Sequence, residues 1–259
     1  VQVLIDGTDS NAAGVVASYV AKIAAAYSKQ VLVERVERLL GPAARTGSVD
    51  LRTRAWFNEN LESRNFFVPG VLMIVVALST LLLTSMAVVR EKEIGTIEQI
   101  MVTPIAPAEF IIGKTIPFAL IGLTQAVIVA LLGVFWFEVP IRGGVLLLFP
   151  ATVLFLMNTL GAGLLVSTVS DTQQQAMMTT FLLFFPAMLL SGFAFPIANM
   201  PRPVQWITVV NPLRYFLVVV RDIFLKGVGL EILWPQLLPL LVMGTALLWL
   251  AARRFHKTI

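Results

Sequence analysis

The stretch AVVREKEIGTIEQIMVTPIAPAEFIIGKTIPFAL, residues 87–120, decides how the chain is read. It starts at the end of one long apolar run and leads into the next. Between the two lies a charged segment with Ile94, Ile97 and Met101 at i, i+3 and i+7, an apolar stripe of helical period. Glu91 and Glu98 fall on another face of that helix, with Lys92 and Gln99 beside them. Thr103-Pro104 stops it. An amphipathic helix lying on a bilayer carries lysine and arginine on its polar face. This face is mixed and rich in glutamate, which anionic headgroups repel, so the pattern predicts a docking helix for a protein partner over about residues 91–102.

The surroundings are those of a polytopic α-helical membrane protein. Of 259 residues, 58% are hydrophobic and only 13% charged, against about a quarter charged in soluble domains. A span needs about 20 apolar residues. Five stretches qualify, at about 67–89, 115–137, 144–169, 175–195 and 233–252, and none contains an ionisable side chain. Pro186 is expected to kink or break the fourth. Residues 196–231 are punctuated by Pro196, Pro201, Pro203 and Pro212 and carry Arg214, Arg221 and Asp222. They are too short and too charged to span, which predicts outer re-entrant helices covered by protein.

Residues 1–66 read differently. Val1–Ile5 predicts a strand, Asp6-Gly7 a turn, and Asp9 or Ser10 a cap for a helix to about Ser28. A second β-rich stretch runs from Val31 toward Leu39. Together they predict a small external α/β domain. The chain starts at Val1 and not Met, which leads us to expect a first spanning helix upstream. Four crossings separate Arg90 from Arg253, so Arg90, Lys92, Lys114, Arg253 and Arg254 share one side. The positive-inside rule makes that side cytoplasmic and the first domain periplasmic. Arg142, Arg202, Arg214, Arg221 and Lys226 lie against the rule.

Several chemistries are excluded. The net charge of +4 is spread around membrane spans, so nucleic acid is not the partner. With no cysteine and one histidine, thiolate metal sites and haem are not expected. No nucleophile is paired with a base. Spans without ionisable groups argue against a proton-driven transporter. Ile112-Gly113-Lys114-Thr115 is not a P-loop: the first glycine of that motif would fall at Ala108, and a spanning helix follows. Lys114 reads as an interfacial anchor. Energy must therefore come from another protein.

Arg90-Glu91-Lys92-Glu93-x-Gly95-Thr96-x-Glu98 with Thr103-Pro104 resembles the cytoplasmic loop of ABC-2 type permeases. Arg64-Asn65-Phe66-Phe67-Val68-Pro69-Gly70 resembles the start of that family's second membrane helix. Its outer re-entrant helices resemble Ser191-Gly192-Phe193-x-Phe195-Pro196-x-x-Asn199-Met200-Pro201, then Asn211-Pro212-Leu213-Arg214-Tyr215-Phe216, and Arg221-x-Ile223-x-Leu225-Lys226-Gly227. The resemblance runs from about residue 50 to the end and is nearest the bacterial multidrug-exporter branch. It implies the ABC-2, or type V exporter, fold in a bacterial inner membrane. It also implies a homodimer or heterodimer of permeases and separate cytoplasmic ATPase subunits that hold ATP-Mg, with no cofactor on this chain. Coupling to the ATPase would fall to Arg90, Glu91, Glu93, Gly95, Thr96 and Glu98. The substrate path would draw on Asn158, Ser167, Thr168, Thr179 and Thr180, unless these bond their own or neighbouring helices. Phe181, Phe184, Phe185 and Met188 would form either an apolar passage or packing. The cargo would be a hydrophobic drug or lipid-like molecule, with a glycan or secondary metabolite as the alternative. A non-transport scaffold is a third reading, and a periplasmic adaptor is a further partner by analogy.

Overall fold

The computed structural model describes residues 10–40, 63–96 and 107–257. The chain divides into two units, residues 1–54 and 55–259. In the first, one helix, α1 (Ser10–Leu40), runs for 31 residues. The expected strand from Val31 toward Leu39 is therefore helix, and the described residues contain no strand. Nothing breaks the helix at Ser28-Lys29-Gln30, since lysine and glutamine are good helix formers. Three β-branched or aliphatic residues are too few to override that. Beyond them Glu34 and Arg38 pair at i, i+4, 3.7 Å apart. The strand expected at Val1–Ile5 lies outside the described residues.

The second unit is a helical bundle. Its elements are α2 (Ser63–Ile94), α3 (Pro107–Phe135), α4 (Val145–Val169), α5 (Gln173–Leu189), α6 (Arg202–Thr208), α7 (Pro212–Arg221) and α8 (Leu230–Lys257). A 3₁₀ turn at Ile197–Asn199 precedes α6, and a π-turn at Asp222–Lys226 follows α7. Among the described residues, four helices are long and apolar enough to cross a membrane: α2, α3, α4 and α8. The fifth expected span, 175–195, is shorter than its apolar run. Its helix α5 has 17 residues, about 25 Å, and ends three residues after Pro186. There the Leu190 and Ser191 amides donate back to the Pro186 and Met188 carbonyls, and the chain turns.

Even so, α5 runs the length of α2. At one end Gln173 bonds Glu93, near the end of α2. Just past the other, Phe193 meets Phe67 edge-on at 5.8 Å, near the start of α2. α2 and α4 are half-buried along their spans, whereas α3 and α8 keep most of their surface outward. The core joins Leu72, Met73, Val76 and Ala77 of α2 to Phe155 of α4 and to Phe216, Leu217 and Val220 of α7. Phe155 and Phe216 stack with centroids 4.0 Å apart. The short α7 is thus wrapped by the bundle, as non-spanning backbone at membrane depth requires.

α2 and α4 approach closely at Gly163. A β-carbon there would sit 2.8 Å from Thr84 Cβ and 3.1 Å from the Leu81 carbonyl oxygen. Small residues allow such contact between membrane helices. Gly163→Ala is expected to destabilise the protein by about 2 kcal/mol, read as a lower unfolding midpoint of the detergent-purified protein.

Candidate functional site

The site forms where α2 ends. Gly95 has φ +82, a conformation that costs other residues about 1 kcal/mol or more. Its amide donates to the Lys92 carbonyl at 3.2 Å, and the Thr96 amide donates to the Glu91 carbonyl at 3.1 Å. This pair of bonds is a Schellman motif with Gly95 in the left-handed position. Arg90–Ile94 are therefore the last residues of the α2 span, and not the start of a separate amphipathic helix. The stripe drawn from Ile94 to Met101 is broken at Gly95. Residues 97–106, including Glu98, lie outside the described residues.

Three consecutive side chains before the turn reach three different helices. The Lys114 ammonium, on α3, donates to Glu91 Oε1 at 2.6 Å. The Thr96 hydroxyl donates to Glu91 Oε2. Lys92 Nζ donates to the Thr168 carbonyl at the end of α4, at 3.4 Å. Glu93 Oε2 accepts from Gln173 Nε2 at 2.7 Å and from the Gln173 amide at 3.3 Å. That amide opens α5, so the Glu93 carboxylate satisfies an orphan donor at the positive end of the helix dipole. Glu91 and Lys114 are largely shielded, with side-chain exposures of 21% and 34%. Their attraction is screened less than that of a surface pair.

Lys114 is therefore an ion-pair partner, whereas the sequence suggested a free interfacial anchor. Its signal was available: parity already placed it on the side of Glu91. Gln173 carried no comparable signal. Ile112–Thr115 lies inside α3. Its backbone amides serve the helix ladder and form no phosphate cradle. Val88, Ile111, Leu164 and Ala251 pack together, which brings the ends of α2, α3, α4 and α8 to the same face. Arg90 is exposed there, and Arg253 lies over the Trp249 ring at 3.8 Å.

Of the polar residues expected along a path, Asn158, Ser167 and Thr180 bond neighbouring helices of this chain. Asn158 is fully buried, and its amide donates to the Leu154 and Leu240 carbonyls at 2.8 Å each. Ser167 Oγ accepts from the Val89 amide at 3.1 Å, and Thr180 Oγ1 donates to Ser85 Oγ at 2.9 Å. Thr168 is half-buried and bonds the Leu165 carbonyl. Thr179 is half-buried too. Phe181 and Phe185 stack 5.7 Å apart along α5. Phe185 is exposed, as are Met178, Leu182 and Leu183, while Phe184 is buried.

At the far end of the bundle the proline-rich motif is held by hydrogen bonds. Pro196 and Pro201 precede the 3₁₀ turn and α6 and are exposed. Asn211 caps α7 by accepting from the Leu213 amide at 3.1 Å, with Pro212 in the first turn. Asn211 Nδ2 also donates to the Ala187 carbonyl at 2.6 Å, one of the terminal carbonyls of α5. Arg214 donates to Thr208 Oγ1 at 2.6 Å, and the Tyr215 hydroxyl to the Val209 carbonyl at 2.8 Å.

Residues 1–253 match the sequence family described as "ABC-2 family transporter protein". The chain belongs to the ABC-2 family. It is 35% identical over 241 residues to the "Probable multidrug ABC transporter permease YbhR" of Escherichia coli K12, covering 93% of this chain and 63% of that protein. It is 35% identical over 258 residues to the "Probable multidrug ABC transporter permease YbhS" of the same strain, covering 98% and 67%. With the "Inner membrane transport permease YhhJ" it shares 34% identity over 216 residues, covering 82% and 57%. The chain thus spans about two thirds, or less, of the length of these relatives. Membership makes the matched residues a permease, and Ile112–Thr115 within them is helix.

Asn211→Ala removes both the α7 cap and the bond to Ala187. We expect a loss of about 2 kcal/mol in detergent unfolding. Asn211→Ser, which keeps a capping oxygen, should cost less.

Proposed function

We propose that this chain is the membrane subunit of an ATP-driven exporter in a bacterial inner membrane. It moves a hydrophobic drug or lipid-like molecule outward. The single observation that carries this is the distribution of charge. The interiors of the spans have no ionisable side chain, so no proton relay is available. Charge gathers instead where α2 ends. That end faces the cytoplasm, and separate ATPase subunits holding ATP-Mg dock there, on the loop with Glu98 and on exposed Arg90. The names of the relatives support both export and the inner membrane. The residues before α2 then emerge on the periplasmic side, where an adaptor would meet them.

A second permease, identical or paralogous, completes the unit. The exposed side of α5, with Phe185, Leu182 and Met178, faces that partner and the substrate. Asn158, Ser167 and Thr180 instead hold helices together. Glu91 and Glu93 are already engaged within the chain, so their role differs from that of Glu98.

The test is to purify the full-length protein gently from its native membrane and assay vanadate-sensitive ATPase activity. A soluble ATPase should co-purify, and Glu98→Lys should lower its recovery roughly tenfold, as loss of about 1.4 kcal/mol of docking energy would. Well-folded wild-type protein with no ATPase and no activity would defeat the proposal and favour a scaffold.

A further inference from the structure

Glu91 is one carboxylate with two partners. Oε1 takes the Lys114 ammonium of α3, and Oε2 takes the hydroxyl of Thr96, the last residue of the Schellman turn. The Thr96 amide is bonded to the Glu91 carbonyl as well. The loop therefore cannot shift at Thr96 without pulling on Glu91, and Glu91 cannot move without Lys114. The neighbouring residues extend the pattern. Consecutive residues on a helix point about 100° apart, so Glu91, Lys92 and Glu93 fan out toward α3, α4 and α5 in turn.

We propose that Glu91 and Lys114 form a transmission clamp, a pair of positioning residues that makes α3 follow the loop. Glu91 works inside the chain and is not a contact for the ATPase. The inference rests on the docking of an ATPase at this end. A rigid joint at Gly95 suits this, because the Schellman turn fixes the loop's departure from α2. An ion pair suits it too, being largely shielded yet short of full burial. It can hold through a displacement without leaving a deeply buried charge behind if it opens.

The experiment uses the full-length permease with its co-purified ATPase in nanodiscs. The 259 residues contain no cysteine, so nitroxide labels can be placed at Ile112→Cys on α3 and Val169→Cys at the end of α4, both exposed. The distance between labels is measured without nucleotide and after trapping with ATP and vanadate. Trapping should shift the distance in the otherwise native protein. In Lys114→Met the ATPase should still co-purify and hydrolyse ATP at the native rate, but the shift should be lost. Charge exchange, Glu91→Lys with Lys114→Glu, should restore it. A shift that persists in Lys114→Met overturns the clamp. So does an exchange that loses the ATPase, because Glu91 would then be a docking contact. A native preparation without ATPase removes the proposed function and the clamp with it, whereas those two results remove the clamp alone.

Discussion

Hydrocarbon offers no hydrogen bonds, and the arrangement of this bundle follows from that shortage. Each polar group at membrane depth must find its partner within the protein. Thr80 of α2 donates to Thr159 of α4, and Thr180 of α5 donates to Ser85 of α2. The Val89 amide donates to Ser167 of α4. These bonds stitch α4 and α5 to α2, with Gly163 allowing α4 to come close enough. The short α7 is acceptable at this depth only because its ends are satisfied by Asn211 and by the π-turn, and because α2, α4 and α8 enclose it. The centre of the protein is therefore an apolar solid with a few matched polar pairs. Charge is confined to its two ends.

That confinement joins structure to function. An apolar interior cannot store or pass a proton. At the end of α2, side chains that look free in the sequence are engaged with other helices. Glu91, Lys92 and Glu93 bind three helices that follow later in the chain, and Gly95-Thr96 closes α2 with a Schellman turn. The end of α2 is thus both the terminus of the most enclosed span and the place where three others are tied.

Much of this was legible. Apolar run length located the four helices long enough to cross a bilayer, α2, α3, α4 and α8, because composition and length alone decide whether a segment fits one. The prolines marked α6 and α7 as too short to span. Two features were not legible, each for a physical reason. Val31–Leu39 has strand-like residues, but no breaker precedes it and Glu34 pairs with Arg38, so helix continues. The isoleucine stripe from Ile94 to Met101 has helical spacing, yet α2 ends at Gly95 inside it. Periodicity does not report where a helix stops. Polar residues in spans read equally as path or packing, because a serine or threonine between helices has the same letter as one lining a pore; the bonds to Ser85, Val89 and Leu240 are contacts between helices.

The length of α5 has one more consequence. Its helix is about 25 Å long, while the hydrocarbon core of a bilayer is about 30 Å thick. A bilayer around this bundle must therefore thin beside α5, or be met there by the apolar turn that carries Leu190, Phe193 and Phe195. The protein's own geometry sets a local mismatch on one of its sides.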